Sequence, residues 1–318
     1  MDRRNKSTTT NSAPAAAAAN AKSLHCIVKL GGSAITCKND LETINEDNLS
    51  VVSSQLRQGM ISGPCHGMDW SRRPGSTEIQ TVADELDDKL ESDCRRLIVV
   101  HGAGSFGHFQ ASRSGVHKGG LSKPLVKAGF VATRISVTTL NLEIVRALAK
   151  EGIPSIGMSP FSCGWSTCER NVLHGDAVLD TSRGCTILSG DVIISHLAEH
   201  LRPDYVVFLT DVFGVYDRPP TEPSAVLLRE IAVHEDGSWS VRQPKLQDVS
   251  RQVEITIAAH DTTGGMVTKI TEAAMIAKLG IDVYIVKAAT EHSARALKGQ
   301  LPKNIPDDWL GTVIRLAN

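Results

Sequence analysis

The sequence predicts an α/β fold in which one sheet is covered by helices on both faces and hairpins close over one end. Three observations predict it. Short apolar, β-prone runs alternate with helical patterns along the chain, which is how a sheet with crossover helices reads. Two of those runs stop directly in glycines, at Gly31-Gly32 and at Gly102. Four glycine-containing segments recur over the chain, each beside a strand end or helix start and each with a cation or a carboxylate at hand.

Residues 24–30 are apolar and β-prone and read as a buried first strand feeding a glycine turn. A helical pattern follows at 45–57, then residues 59–76 mix Gly, Pro, Cys, His, Trp and Arg without periodicity, as an irregular surface insertion does. Residues 96–101 repeat the strand-into-glycine design. The apolar residues of 125–150 suit a long, substantially buried helix, and 153–156 reads as a short strand. Residues 161–188 hold Gly164, Asp176 and Gly184 between short β-prone pieces, the pattern of hairpins. Ser189 is placed to cap a helix over 189–201, which leads to a strand at 205–209 and a turn at 210–214. A helix at 265–279, a strand at 281–286, a helix at 291–297 and a strand at 312–316 complete the pattern.

Composition narrows the function classes. The chain has 318 residues, 41% hydrophobic and 22% charged, enough for a large core. A net charge of -1 gives no reason to expect nucleic acid or an anionic membrane as partner. No apolar run approaches the roughly 20 residues of a membrane span, so a soluble protein is expected. Seven cysteines without a CxxC pair argue against a disulfide framework and a zinc ribbon, and point to a reducing, cytoplasmic setting. Residues 1–22 are poor in apolar side chains and read as a disordered tail, with a weak organellar transit peptide as the alternative.

The chemistry lies in the glycine segments. Lys29 precedes Leu30-Gly31-Gly32-Ser33, where missing side chains let backbone amides approach a phosphate; the order is the reverse of a Walker loop. Lys38 would add a second cation if the 33–40 loop folds back. Gly102-Ala103-Gly104-Ser105-Phe106-Gly107-His108 follows the second strand, where an α/β sheet binds ligands. No acidic residue follows it at dinucleotide spacing, so a phosphate held by loop amides and His108 is the better account. Asp191 opens a helix and could serve the helix dipole or orient two lysines. Asp211 ends a strand and could bind a ribose, a metal-bound water or its own turn. Lys269 stands four residues past Gly265, so cation and helix amides point at one place. His196 and His200 are spaced as two metal ligands but lack a third-ligand motif, and a solvated helix face is the simpler reading. Cys163 and Cys168 are expected to be buried small hydrophobes.

Taken together, Lys29-Leu30-Gly31-Gly32-Ser33, the 102–108 loop, Leu188-Ser189-Gly190-Asp191, 209–216 and Gly264-Gly265-Met266-Val267-Thr268-Lys269 resemble the amino acid kinase superfamily. Within it, Gly104-Ser105-Phe106-Gly107-His108 is similar to the loop of isopentenyl phosphate kinases, where a histidine holds the substrate phosphate. The resemblance covers the chain from about residue 24 onward. It implies a three-layer αβα sandwich with a mainly parallel open sheet, divided into an acceptor lobe (23–188) and a nucleotide lobe (189–318). It implies ATP contacts at Lys29 to Ser33, Gly104, Asp211, Gly265 and Lys269. Ala103, His108 and Gly190 would hold the acceptor phosphate, Lys38 would stabilise the transition state, and Asp191 would organise the lysines. ATP and Mg²⁺ are the implied cofactors, and a homodimer the implied assembly. The expected activity is phosphorylation of an isoprenoid monophosphate, whose short chain needs a dry pocket, expected to be lined from the Phe130 helix and 153–158. A kinase for another small phosphate or carboxylate, or a silent nucleotide sensor, are the other readings of the same motifs.

Overall fold

The computed structural model describes residues 24–60, 96–164, 166–167, 175–244, 265–299, 301 and 304–317. The tail, Cys168, Gly264 and residues 61–76 of the expected insertion lie outside them. Strands are β1 (Leu24–Leu30), β2 (Arg96–His101), β3 (Ser166–Thr167), β4 (Asp176–Asp180), β5 (Gly184–Leu188), β6 (Tyr205–Thr210), β7 (Val215–Tyr216), β8 (Leu227–Leu228), β9 (Glu230–Val233), β10 (Trp239–Gln243), β11 (Asp282–Lys287) and β12 (Thr312–Leu316). Helices are α1 (Gly32–Ile35), α2 (Glu46–Met60), α3 (Gly104–Ser114), α4 (Pro124–Lys150), α5 (Gly190–Leu201), α6 (Gly265–Lys278) and α7 (Glu291–Leu297).

Seven strands form one open sheet in the order β10-β9-β12-β11-β6-β1-β2. The β2-β1-β6-β11 block is parallel, whereas β11 meets β12 and β9 meets β10 antiparallel. Alternation along the central strands explains the layers. Val28 and Leu30 of β1 and Val207 and Leu209 of β6 pack with α2, α4 and α7, while Ile27, Val206 and Phe208 face α5 and α6. All six residues of β6 are buried, as a central strand with two covered faces requires. Each such aliphatic side chain contributes about 1.5–3 kcal/mol relative to exposure. Trp309, fully buried, fills the outer end of the first layer and donates from Nε1 to the His292 carbonyl at 3.0 Å.

Helix starts obey local chemistry. Asn45 Oδ1 accepts from Asn48 N ahead of α2, Pro124 occupies the first turn of α4, and Ser189 Oγ accepts from Asp191 N at 3.3 Å. The β4–β5 hairpin, with β3 beside it, forms the small sheet expected over 161–188.

Four expectations need correction. The insertion does not begin at Gly59, because Gly59 and Met60 complete α2. Residues 153–156 form no strand: Pro154 has no N–H to offer, and Ile156 stands 91% exposed with no strand beside it among the described residues. The 102–108 segment is not all loop, since Gly104 already starts α3 and places Gly107 and His108 on its first turns. Cys163 is exposed, in a turn where its N–H bonds back to the Ser159 and Pro160 carbonyls.

Candidate active site

The chain leaves β1 toward β2 on one side and later returns as β6 on the other. The crevice beyond the carboxyl ends of these three strands is therefore the switch point at which open α/β sheets take ligands. Backbone bonds zip it together: Gly31 N donates to Leu209 O and Gly102 N to Leu30 O, both at 2.8 Å. Gly32 and Gly104 lie so close that a Cβ on Gly32 would collide with the Gly104 backbone, and Gly104 itself has φ +51°. Only glycine satisfies both demands. Thr36 joins the two turns, donating from Oγ1 to Gly32 O at 2.8 Å and accepting from Ser105 N at 3.1 Å. The sequence carried no signal for it, because a lone threonine is uninformative.

The floor of the crevice is a buried charge cluster. One oxygen of Asp191 accepts from Lys29 Nζ at 2.5 Å and from Lys269 Nζ at 3.2 Å, and all three side chains are almost fully buried. Burial alone would raise the Asp191 pKa; the two ammoniums override it and hold it at about 2. Burial likewise lowers Lys29, to about 8, against the pull of Asp191 and with the help of Lys269. One carboxylate thus pairs with two cations and offsets one of their charges, leaving an excess of positive charge facing the cavity. Asp191 contacts both lysines and also stands in the first turn of α5, so its position meets both roles read from the sequence, and its backbone N–H is used in the Ser189 cap.

Lys38 does fold back. Its ammonium meets Asp211 Oδ2 at 2.7 Å at the mouth, with the lysine side chain 66% exposed. Burial of Asp211 is outweighed by Lys38 and Ser33, so its pKa is lowered.

Lys29, Gly31, Gly32, Ser33, Lys38, Ala103, Gly104, His108, Gly190, Asp191, Asp211 and Lys269 all line one cavity of about 480 Å³. Gly265 opens α6, whose Met266 and Lys269 reach that lining. Leu30 is not in it: the side chain belongs to the core and the carbonyl is taken by Gly102. Ala111, one turn beyond His108 on α3, joins Ile187 and Thr133 in the rest of the wall. The expected lining holds in part: the helix that carries Phe130 supplies Thr133, whereas residues 153–158 supply nothing. Phe130 sits behind that wall in a satellite core cluster, Ile153 belongs to the main core, and Ile156 and Met158 face outward.

His101, just before the glycine turn, is buried and its pKa lowered by burial. A neutral ring satisfies both neighbours, with Nδ1 donating to Gly102 O at 3.1 Å and Nε2 accepting from Asn141 Nδ2 at 3.0 Å. His196 and His200 are joined on α5 by Glu199, whose carboxylate supplies the third group the sequence reading lacked; all three are exposed and away from the crevice.

A crevice of glycine amides, helix starts and shared lysines, set at the switch point of an open α/β sheet, defines a protein that handles phosphorylated ligands. The chain belongs to the amino acid kinase family, whose sequence profile matches residues 25–287. An isopentenyl phosphate kinase of Arabidopsis thaliana is 66% identical to it, across 93% of this chain and 97% of the relative. That of Methanothermobacter thermautotrophicus is 31% identical, across 86% and 95%. Among solved structures, an isopentenyl phosphate kinase determined by X-ray crystallography superimposes with a TM-score of 0.62 at 27% identity, covering 91% of this chain and all of that one.

Proposed function

We propose that this chain is an isopentenyl phosphate kinase, moving the terminal phosphoryl group of ATP onto isopentenyl phosphate to give isopentenyl diphosphate and ADP for isoprenoid synthesis. The observation that carries this reading is the lining of the cavity, which joins Lys29, Lys38 and Lys269 and the glycine turns to Ala111 and Ile187 on the wall that holds His108. The relatives' names point the same way.

The acceptor phosphate has a second pKa near 6 and is largely dianionic at neutral pH, so an attacking oxygen is present without a general base. The difficulty is bringing two anions together. In the reading advanced here, His108, Ala103 and Gly190 hold the acceptor phosphate, and Lys29, Gly31 to Ser33, Gly104, Gly265 and Lys269 hold the ATP phosphates. Lys38 leaves Asp211 to meet the moving phosphoryl group, and Asp211 turns to the nucleotide. Asp191 keeps Lys29 and Lys269 aimed at the phosphates. Positioning and cations are what a loose phosphoryl transfer needs. The described carboxylates of the crevice are engaged by lysines, so Mg²⁺ fits here as an ion held chiefly by nucleotide oxygens and water. When bound it would neutralise charge between the phosphates.

Residues 23–188 form the acceptor lobe in this scheme and 189–318 the nucleotide lobe, with Lys29, Gly31 to Ser33 and Gly104 of the first reaching ATP and Gly190 of the second reaching the acceptor. A homodimer is supported by an exposed apolar face on α4, with Val131, Ile135 and Leu142, beside Ile156 and Met158. A cytoplasmic setting is supported by four described cysteines that are all free, and no described helix is long and apolar enough to cross a membrane.

ADP release from Mg-ATP with isopentenyl phosphate, dimethylallyl phosphate, UMP, acetylglutamate and aspartate tests the reading, run beside His108→Ala. Turnover restricted to the isoprenoid phosphates and lost in the variant is expected. Turnover only on UMP or a carboxylate would refute the substrate, and nucleotide binding with no turnover would indicate a silent sensor.

A further inference from the structure

We propose that Arg134 is a positioning residue for the acceptor pocket, setting its width through a buried clamp on the β4–β5 hairpin without touching substrate. The proposal rests on the kinase reading for its kinetic test. Its geometry stands independently.

Arg134 follows Thr133, which lines the apolar end of the cavity from α4. Its Nη1 donates to Asp176 Oδ2 at 2.9 Å and its Nη2 to Ser159 Oγ at 3.2 Å, while Ser159 Oγ donates to the same Asp176 oxygen at 3.2 Å. The other oxygen of Asp176 accepts from Ala177 N at 2.8 Å. The guanidinium lies 4.1 Å from the centroid of Phe161, which packs edge-on against Phe130 at 5.8 Å. One planar group thus joins α4, the 159–161 turn and the first residue of β4.

What the clamp holds is pocket wall. Gly175, next to Asp176, lines the cavity and packs so tightly on the glycine loop that a Cβ there would come within 2.7 Å of Ala103 N. Ala177 pairs across the hairpin with Ile187, the apolar wall residue. If the hairpin moved away from α4, Ile187 would retreat from Thr133 and Gly175 from Ala103, enlarging the apolar end and loosening the phosphate end together.

The energetics favour position over stability as the role of the pair. Asp176 is 2% exposed, and burying both ions costs desolvation that their attraction only partly returns. An apolar pair of similar volume can hold such a contact as well or better. It cannot reproduce a planar fork fixed at three points and stacked on a ring.

The test compares Arg134→Met, Arg134→Lys and the apolar pair Arg134→Met/Asp176→Leu with the wild type. The expected result is a rise of about tenfold or more in KM for isopentenyl phosphate, with KM for ATP within about twofold, because a displacement near 1 Å is costly only at the site displaced. Discrimination against a C10 prenyl phosphate should fall in parallel, and the lysine variant should recover part of both. The double variant guards against misfolding: a melting temperature at the wild-type value with impaired acceptor kinetics supports positioning. Wild-type acceptor kinetics in that stable variant, or equal changes for ATP and acceptor, would overturn it. If the wild type does not turn over isopentenyl phosphate, the kinase reading fails and amide hydrogen exchange decides. Faster exchange at 175–188 with 205–210 unchanged in the double variant supports the clamp. Unchanged exchange in the hairpin refutes it.

Discussion

Replacing Asp191 with Asn removes one negative charge from between two buried ammoniums while keeping the side-chain shape. Its folded-state pKa of about 2, against an ordinary value of 3.8, is depressed because the lysines outweigh the burial that would raise it. A carboxylate with a depressed pKa contributes stability above its unfolded pKa that is lost as pH falls through the folded value. The depression corresponds to about 2–3 kcal/mol at neutral pH. Breaking a buried pair by deleting one partner costs about 3–5 kcal/mol, so the variant should lose about 2–5 kcal/mol, a fall of about 4–20 °C in melting temperature. Lys29 adds a pH signature. Burial lowers its pKa to about 8, below the unfolded 10.5, so its ionised form opposes folding below pH 8 and that cost disappears as pH rises from 8 toward 10.5. Without Asp191 the Lys29 pKa drops further and its proton leaves earlier, so the stability gap to wild type should narrow as pH rises toward 8. Thermal melts of both proteins across that range are the assay, with ADP release alongside. A melting temperature within 2 °C of wild type, or a gap that does not change with pH, would refute the shared-carboxylate argument.

Lys38→Ala should reduce kcat by about a hundredfold or more, the cost of losing one transition-state contact, while melting stays within about 1 °C because the side chain is largely exposed; equal losses in stability would point to a structural role. Gly32→Ala should abolish turnover and cost about 1–3 kcal/mol by forcing the two glycine turns apart, read by activity and denaturant midpoint. Trp309→Ala, far from the crevice, should cost about 3–5 kcal/mol by emptying a fully buried site and orphaning the His292 carbonyl, with KM for ATP unchanged at temperatures where the variant remains folded.

Local chemistry was legible wherever it is written in consecutive residues. The strand into Gly31-Gly32, the strand into Gly102, the Ser189 cap and the helix 291–297 follow from alternation, periodicity and caps that neighbours in the chain supply. The same holds for Lys29, His108, Asp191 and Lys269, each announced by adjacent glycines or a helix start. Reading failed where the deciding partner is remote. Residues 153–156 are apolar enough for a strand, yet among the described residues no strand accepts them. Gly104 and Gly107 suggest a loop, but the first turns of α3 fit only because Gly32 faces them without a side chain.

Composition and motif order by themselves determined an α/β protein with a phosphate-handling site, because glycine backbone freedom, cation placement and strand periodicity are properties of short segments. Only the tertiary structure decided that one Asp191 oxygen serves two lysines, that Lys38 rests on Asp211, and that Ala111, Thr133 and Ile187 rather than residues 153–158 close the apolar end. Those outcomes depend on strand order and on which side chains meet across 40 to more than 160 residues of chain, where sequence spacing carries no distance and burial sets the electrostatics.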